Sequence, residues 1–363
     1  MTARQAAARA RPAAPRSGRR RIRSALLVSA LLFSSPAESD ADSSLAYLAR
    51  LGVGQTRLLL SRERITPQLL ASLEPIEQQG YASLRRALEF GESLGLARTT
   101  SYRDLVGERG SGLVHVVTAA PADRVEPLSW WFPISGRVSY RGYFEEDRAR
   151  SFAAELASQG YDTYLRPAPL YSTLGWFDDP IPRAVLSWPE ADLVDTFLHE
   201  LVHQTIFVAG DIAYDEALAS FIAHHATLEL LAADPEQRSR AEGGFADELT
   251  FAELLGELRD ELELVYAAAA DPEQARALRA PVFARYQREV HAARPWRSKR
   301  YARFPELELS NAWLAAQRAY VGELPCFAAE LAALGGDLAA FVRAHRDEPG
   351  HRFASCAGAE VAK

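Results

Sequence analysis

The chain has 363 residues, 48 acidic and 41 basic, and a formal charge of −7 with histidine neutral. Nearly half of its side chains are apolar and a quarter are charged, the balance of an ordinary soluble protein with a large core. The acidic excess argues against nucleic acid and against anionic membrane surfaces as partners.

Residues 1–37 carry eight arginines and no acid. Arg19-Arg20-Arg21-Ile-Arg23 precedes an apolar run from Ala25 to Phe33, and Ser35-Pro36-Ala37 offers small residues for cleavage. This pattern predicts a secretory signal, or an N-terminal anchor if it is retained, and so a periplasmic, cell-envelope or secreted protein. The run is too short for an ordinary membrane span, and no stable membrane insertion is expected once the signal is removed. Loss of the leader takes the formal charge from −7 to −15. The only cysteines, Cys326 and Cys356, then meet an oxidising compartment, where a disulfide would tie the C-terminal helices; unpaired thiols are the alternative.

Residues 38–110 read as an N-terminal helical segment. Leucines recur at helical spacing, with breaks expected at Gly52, Pro67 and Gly80. The texture then changes. Residues 112–118, 138–144 and 162–166 are short, β-branched and aromatic, and predict strands. A helix over 145–159, ending at Gly160, separates the last two, and 184–188 predict one further strand. These elements open a core spanning 111–235. Residues 236–363 return to helices, punctuated by Pro272, Pro295, Pro305, Pro325 and Gly335-Gly336. The expected fold class is α+β, predominantly helical, with a small β-sheet before one motif-bearing helix.

That helix carries Phe197-Leu-His199-Glu200-Leu-Val-His203, the pattern H-E-x-x-H. Histidines four apart share a helix face, so both imidazoles reach one tetrahedral metal, and the glutamate beside the first is placed to take a proton from water. The metzincin continuation is excluded, because Ile206 and Ala209 stand where it needs Gly and His. A third ligand is expected from the next helix. Gly210 terminates the first helix and Asp211 caps the second, which makes a tight hairpin. His203 and Glu216 are equidistant from the Gly210 turn and therefore face each other. By the same symmetry Ser220 lies opposite His199 and could fix its tautomer, with Asp215 as the alternative supporting group. His224 and His225 sit at poor angles to Glu216 and read as surface or interface residues. His115, His291, His345 and His351 have no motif around them.

Tyr214-Asp-Glu-Ala-Leu-Ala-Ser-Phe221 resembles the Asn-Glu-x-x-Ala-Ser-Phe segment that carries the third ligand in gluzincin aminopeptidases. The chain resembles a bacterial family of predicted aminopeptidases of this type over residues 45–345. The resemblance rests on Trp131-Phe-Pro-Ile-Ser-Gly136, Tyr140-Arg-Gly-Tyr-Phe144, the segment from Tyr171 to Pro180, the H-E-x-x-H helix, and Ser310-Asn311-Ala312, with a weaker echo from Tyr47 to Leu59. It implies a gluzincin-like zinc-peptidase core with one Zn²⁺ per chain on His199, His203 and Glu216. It also implies Glu200 as general base, and a peptide substrate cut at its free N-terminus. In gluzincins the small sheet borders the cleft, and its edge can receive a peptide by strand addition.

The chain departs from that pattern in three places. Asp215 stands where members usually have Asn, no cysteine follows the leader where members are often lipoproteins, and the G-x-M-E-N amine-binding loop of the best-known gluzincin aminopeptidases is missing. An endopeptidase therefore stays open, as does, from a different class, a non-catalytic envelope scaffold stapled by zinc. Such peptidases add a Tyr or His donor for the oxyanion. Tyr171 is the first candidate, with Tyr143 and Tyr320 behind it. Asp178-Asp179 either holds a substrate's α-ammonium or forms a turn, and Asn311 either bonds substrate backbone or caps a helix.

Overall fold

A computed structural model describes residues 44–107, 114–132, 136–168, 178–208, 211–317 and 324–350. The N-terminal segment is helical, but two of the three expected breaks are absent. Helix α1 (Ser44–Ser61) runs through Gly52 and is followed by a short strand, β1 (Glu63–Arg64). Pro67 does start a helix, α2 (Pro67–Ser72), capped by Thr66, whose hydroxyl accepts from Leu69 N at 3.2 Å. Helix α3 (Pro75–Leu94) runs through Gly80 because the missing side chain is needed for packing. A Cβ there would lie 2.0 Å from the carbonyl oxygen of Leu186.

The strands are β2 (Asp104–Val106), β3 (Val114–Ala120), β4 (Trp130–Phe132), β5 (Gly136–Val138), β6 (Arg141–Tyr143), β7 (Asp162–Ala168) and β8 (Ile181–Pro182), with α4 (Glu146–Ser158) between β6 and β7. They form three small sheets, ordered β1-β2-β8, β6-β3-β7 and β4-β5, rather than a single one. In the second, β3 is central and both neighbours are antiparallel. His115, Val117, Arg141, Tyr143 and Leu165 share one face, which packs with Tyr47, Ala149 and Phe152. The opposite face carries Val116, Gly142 and Arg166 and, by alternation one residue before β6, Tyr140. Residues 184–188 do not form the expected strand. They lie in a 3₁₀ turn, Arg183–Ser187 and its cap Trp188. The turn sets the Leu186 carbonyl on Gly80 and lets Arg183 bond both oxygens of fully buried Glu77, at 2.9 and 3.1 Å.

Among the described residues seven further α-helices follow: α5 (Glu190–Thr205), α6 (Ile212–Leu230), α7 (Pro235–Ala268), α8 (Pro272–Arg285), α9 (Asn311–Ala316), α10 (Leu324–Ala333) and α11 (Leu338–Asp347). Thus the fold is α+β and predominantly helical, as expected. Helix α5 is the axis of the main core. Its Leu193, Phe197, Leu198 and Leu201 meet Leu84 and Leu88 of α3, Ala219 and Ile222 of α6, and Phe341 of α11, all fully or almost fully buried. Each such leucine or phenylalanine contributes about 1.5–3 kcal/mol by leaving water, so the helix that bears the motif is also the most firmly seated. A second cluster joins α7, α8 and α9 through Phe251, Leu258, Phe283, Phe304 and Trp313. Cys326 is disulfide-bonded, and the chain's other cysteine, Cys356, lies outside the described residues. Among the described residues no single helix is long and apolar enough to cross a membrane.

Candidate metal centre and active site

Helices α5 and α6 form the expected hairpin. Asp211 caps α6, accepting from Tyr214 N at 3.2 Å, while Gly210 lies outside the described residues. The first helix stops earlier than expected, at Thr205, and residues 206–208 lead away from it in open chain.

The hairpin brings three donors together. His199 Nε2 and His203 Nε2 are 3.0 Å apart, His199 Nε2 and Glu216 Oε2 3.3 Å, and His203 Nε2 and Glu216 Oε1 3.5 Å. A tetrahedral ion with bonds of about 2.0–2.2 Å needs donor separations of about 3.3–3.5 Å; the two His–Glu216 distances meet this and the 3.0 Å between the rings needs only a slight parting, so the set is compatible with zinc. Two nitrogens and one carboxylate oxygen are also the donor types that zinc takes in catalytic sites. Among the described residues no other group of histidines, cysteines and acids is arranged to hold a metal. His203 is buried, whereas His199 is about one-fifth and Glu216 one-third exposed, which leaves one side open to solvent.

The electrostatics follow from this crowding. Burial alone would raise the Glu216 carboxyl, but hydrogen bonds to the two rings override it and hold it well below the usual carboxylate range. For His199, burial favours the neutral ring, while the Glu216 carboxylate, then Glu200 and Asp195, pull the other way and leave its pKa raised. Glu200 is partly buried and, among the described residues, has no hydrogen-bond partner. A carboxylate free on a half-open helix face can take and return a proton.

Supporting groups differ from the symmetry argument in one respect. No hydrogen bond joins Ser220 to His199. Asp195, one helical turn before His199, adds its charge to those of Glu216 and Glu200 on that ring, and burial, then nearby Glu248, pushes the Asp195 carboxyl up to about 6. Asp215 is 3% exposed, and its Oδ1 accepts from Val208 N at 2.8 Å, which pins the segment between the helices. Its Oδ2 and the Nδ1 of His203 are both buried without partners, and His203 lies within electrostatic range of Asp215. Burial pushes Asp215 up to about 6.

The other sequence candidates separate cleanly. Tyr171 and Tyr320 lie outside the described residues. Tyr143 is buried beside Tyr47 and Phe152, on the sheet face away from Tyr140. Tyr140 is the tyrosine that sequence reasoning passed over. Desolvation of its hydroxyl, then the charge of Glu216, raise its pKa against nearby Arg166, with a smaller contribution from Glu200, and the residue is about half exposed. The signal was there, since Tyr140 and Tyr143 open and nearly close one motif, but their opposite faces depend on strand register.

Asn311 is fully buried in a structural network. Its amide donates to the carbonyls of Pro121 at 2.9 Å and Arg124 at 3.1 Å, and Ser310 is the cap of α9. Asp178 and Asp179 hold the preceding loop, since Asp178 accepts from Thr100 and Asp179 N donates to Ser101 Oγ at 3.0 Å. His224 is buried with its ring stacked on Phe245 at 3.7 Å, and His225 packs on Phe221. His291 bonds the Tyr301 carbonyl, and His345 bridges Tyr214 and Glu330.

These features find a counterpart at the level of family. The chain belongs to the family described as putative aminopeptidase, whose model matches residues 46–348 and so contains the whole site. No curated protein and no solved structure gives a match.

Proposed function

We propose that the protein is a gluzincin-type, zinc-dependent aminopeptidase that acts on peptides in the cell envelope. The observation that carries this reading is the trio His199, His203 and Glu216, with donor atoms 3.0–3.5 Å apart beside a free glutamate. A zinc ion held there supplies Lewis acidity toward a carbonyl oxygen and toward water. Glu200 takes a proton from the attacking water and returns it to the leaving amine. Tyr140 donates its phenol proton to the developing oxyanion, with Tyr171 as the sequence-level alternative. Strand addition at an edge of the sheet β6-β3-β7 would hold an extended peptide. A structural zinc site has no use for Glu200, which supports catalysis over a scaffold. The family description and the carboxylates of Glu200 and Asp195 around His199 favour a substrate with a free ammonium. The basic, apolar leader supports export.

The test is metal content together with hydrolysis of paired free and N-acetylated peptides, for the wild type and Glu200→Gln. One zinc per chain in both proteins, with cleavage of the free peptide by the wild type alone, is the expected result. Cleavage of both peptides would make it an endopeptidase. Zinc without any cleavage would make it a scaffold, and absence of zinc would overturn the site.

A further inference from the structure

Tyr102 is the single non-glycine residue, among those described, with a left-handed backbone, at φ +62°. A tyrosine adopts this only when its surroundings force it, and such outliers gather where geometry serves function. Here the forcing is visible. Tyr102 N donates to the Asp179 carbonyl at 2.7 Å, and Asp179 N donates back to Ser101 Oγ at 3.0 Å. Ser101 N in turn donates to Thr99 Oγ1 at 3.0 Å, and Thr100 bonds Asp178. The loop at 99–102 is thus laced to 178–179.

The lacing presses one phenol onto α5. The Tyr102 side chain is 2% exposed, and its ring meets Phe197 edge-on at 4.9 Å. Its oxygen accepts from Gln204 Nε2 at 3.1 Å. Phe197 and Gln204 are two turns apart on one stripe, and Glu200 lies between them, roughly 40° around the helix from Gln204 and roughly 60° from His203. Among the described residues the phenol proton has no acceptor and Glu200 has no donor. Burial first, then the Glu200 charge, raise the pKa of this hydroxyl, which agrees with their closeness.

We propose that Tyr102 is a positioning residue for Glu200. With its oxygen occupied by Gln204, the hydroxyl donates to one Glu200 carboxylate oxygen after a short swing of the glutamate, and leaves the other oxygen aimed at the cleft. The role rests on the reading of Glu200 as general base. It also gives the strained loop a purpose, since an untethered glutamate spends much of its time in unproductive rotamers.

Tyr102→Phe keeps the ring and its Phe197 contact and removes only the hydroxyl. The expected result is a fall in kcat of about 10-fold, with KM and zinc content unchanged, the size of one hydrogen bond to a charged group. An unchanged kcat overturns the proposal. A second readout needs no activity: with [¹³Cζ]tyrosine labelling, the signal lost in Tyr102→Phe is assigned to Tyr102. In metal-free protein that signal moves when Glu200→Gln removes the charge, while the signal of Tyr214, bonded to His345, stays in place. A Tyr102 signal identical in both proteins overturns the proposal whatever the activity. If it moves but the wild type cuts no peptide, the hydrogen bond stands and the hydrolase reading falls.

Discussion

The α5–α6 hairpin and the network beneath α9 bury polar groups in opposite ways. Beneath α9, Arg279 donates to the Ala122 carbonyl at 2.8 Å and to Asp162 Oδ1 at 2.9 Å. Asp162 Oδ2 accepts from Asn311 N at 3.0 Å, and the Asn311 side chain is bonded at both ends, to Tyr266 and to two carbonyls. In the hairpin, Asp215 Oδ2 and His203 Nδ1 are buried and, among the described residues, they and the Glu200 carboxylate have no hydrogen-bond partner, while three donors crowd together. A closed polar network holds a structure in one state, whereas open donors and acceptors are capacity held for a ligand or a reaction. Both regions contain residues that stand out in the sequence, and only the completeness of their bonding tells which role each has.

Substitutions should divide along the same line. His203→Ala removes a donor from the trio, and zinc content and peptide hydrolysis are both expected to disappear while the fold survives; elemental analysis and circular dichroism check this. If zinc stays at one per chain, the trio is not the site. Arg279→Ala should do the reverse. It leaves buried Asp162 with only the more distant, half-exposed Arg276 at 3.9 Å and costs about 3 kcal/mol in denaturant unfolding, with zinc still bound to the folded fraction. A stability loss below about 1 kcal/mol would show the network to be dispensable. Tyr140→Phe is expected to lower kcat by roughly 10²-fold, with zinc and KM unchanged. A full-rate Tyr140→Phe would hand the oxyanion role back to Tyr171.

The effect that appears only in acid concerns pH. Burial against Phe245, then the neighbouring His225, holds His224 down to about 3, below its unfolded value of 6.5. The folded state therefore disfavours the charged ring. Its contribution to stability is complete above pH 6.5 and is lost progressively as pH falls from there towards 3. In Tm measured against pH, His224→Gln should flatten the acid limb over that window, and an unchanged limb would rule out the buried neutral ring.

Much of the site was legible because it is local. The i, i+4 spacing of His199 and His203 needs only a helix, and the placement of Glu216 needs only a turn midway between the two elements. That symmetry survived even though α5 ends at Thr205, because the helices still pack antiparallel. Asp195 was legible by the same rule, one turn before His199, and was passed over for Ser220 across the hairpin.

The sequence by itself determined the α+β, predominantly helical class and the closeness of His199, His203 and Glu216 on one hairpin, since periodicity and short spacings act within one element or one turn. Only the tertiary structure decided that Tyr140 and Tyr143 lie on opposite sheet faces, Tyr143 against Tyr47, because they are sorted by the register of β6 on β3. It also decided that Gly80 is a packing surface for Leu186 rather than a break, that 184–188 turn instead of extending, and that Asn311 and Asp179 are structural. Each of these depends on a partner far away in the chain, and sequence spacing carries no information about which distant backbone will supply the bond.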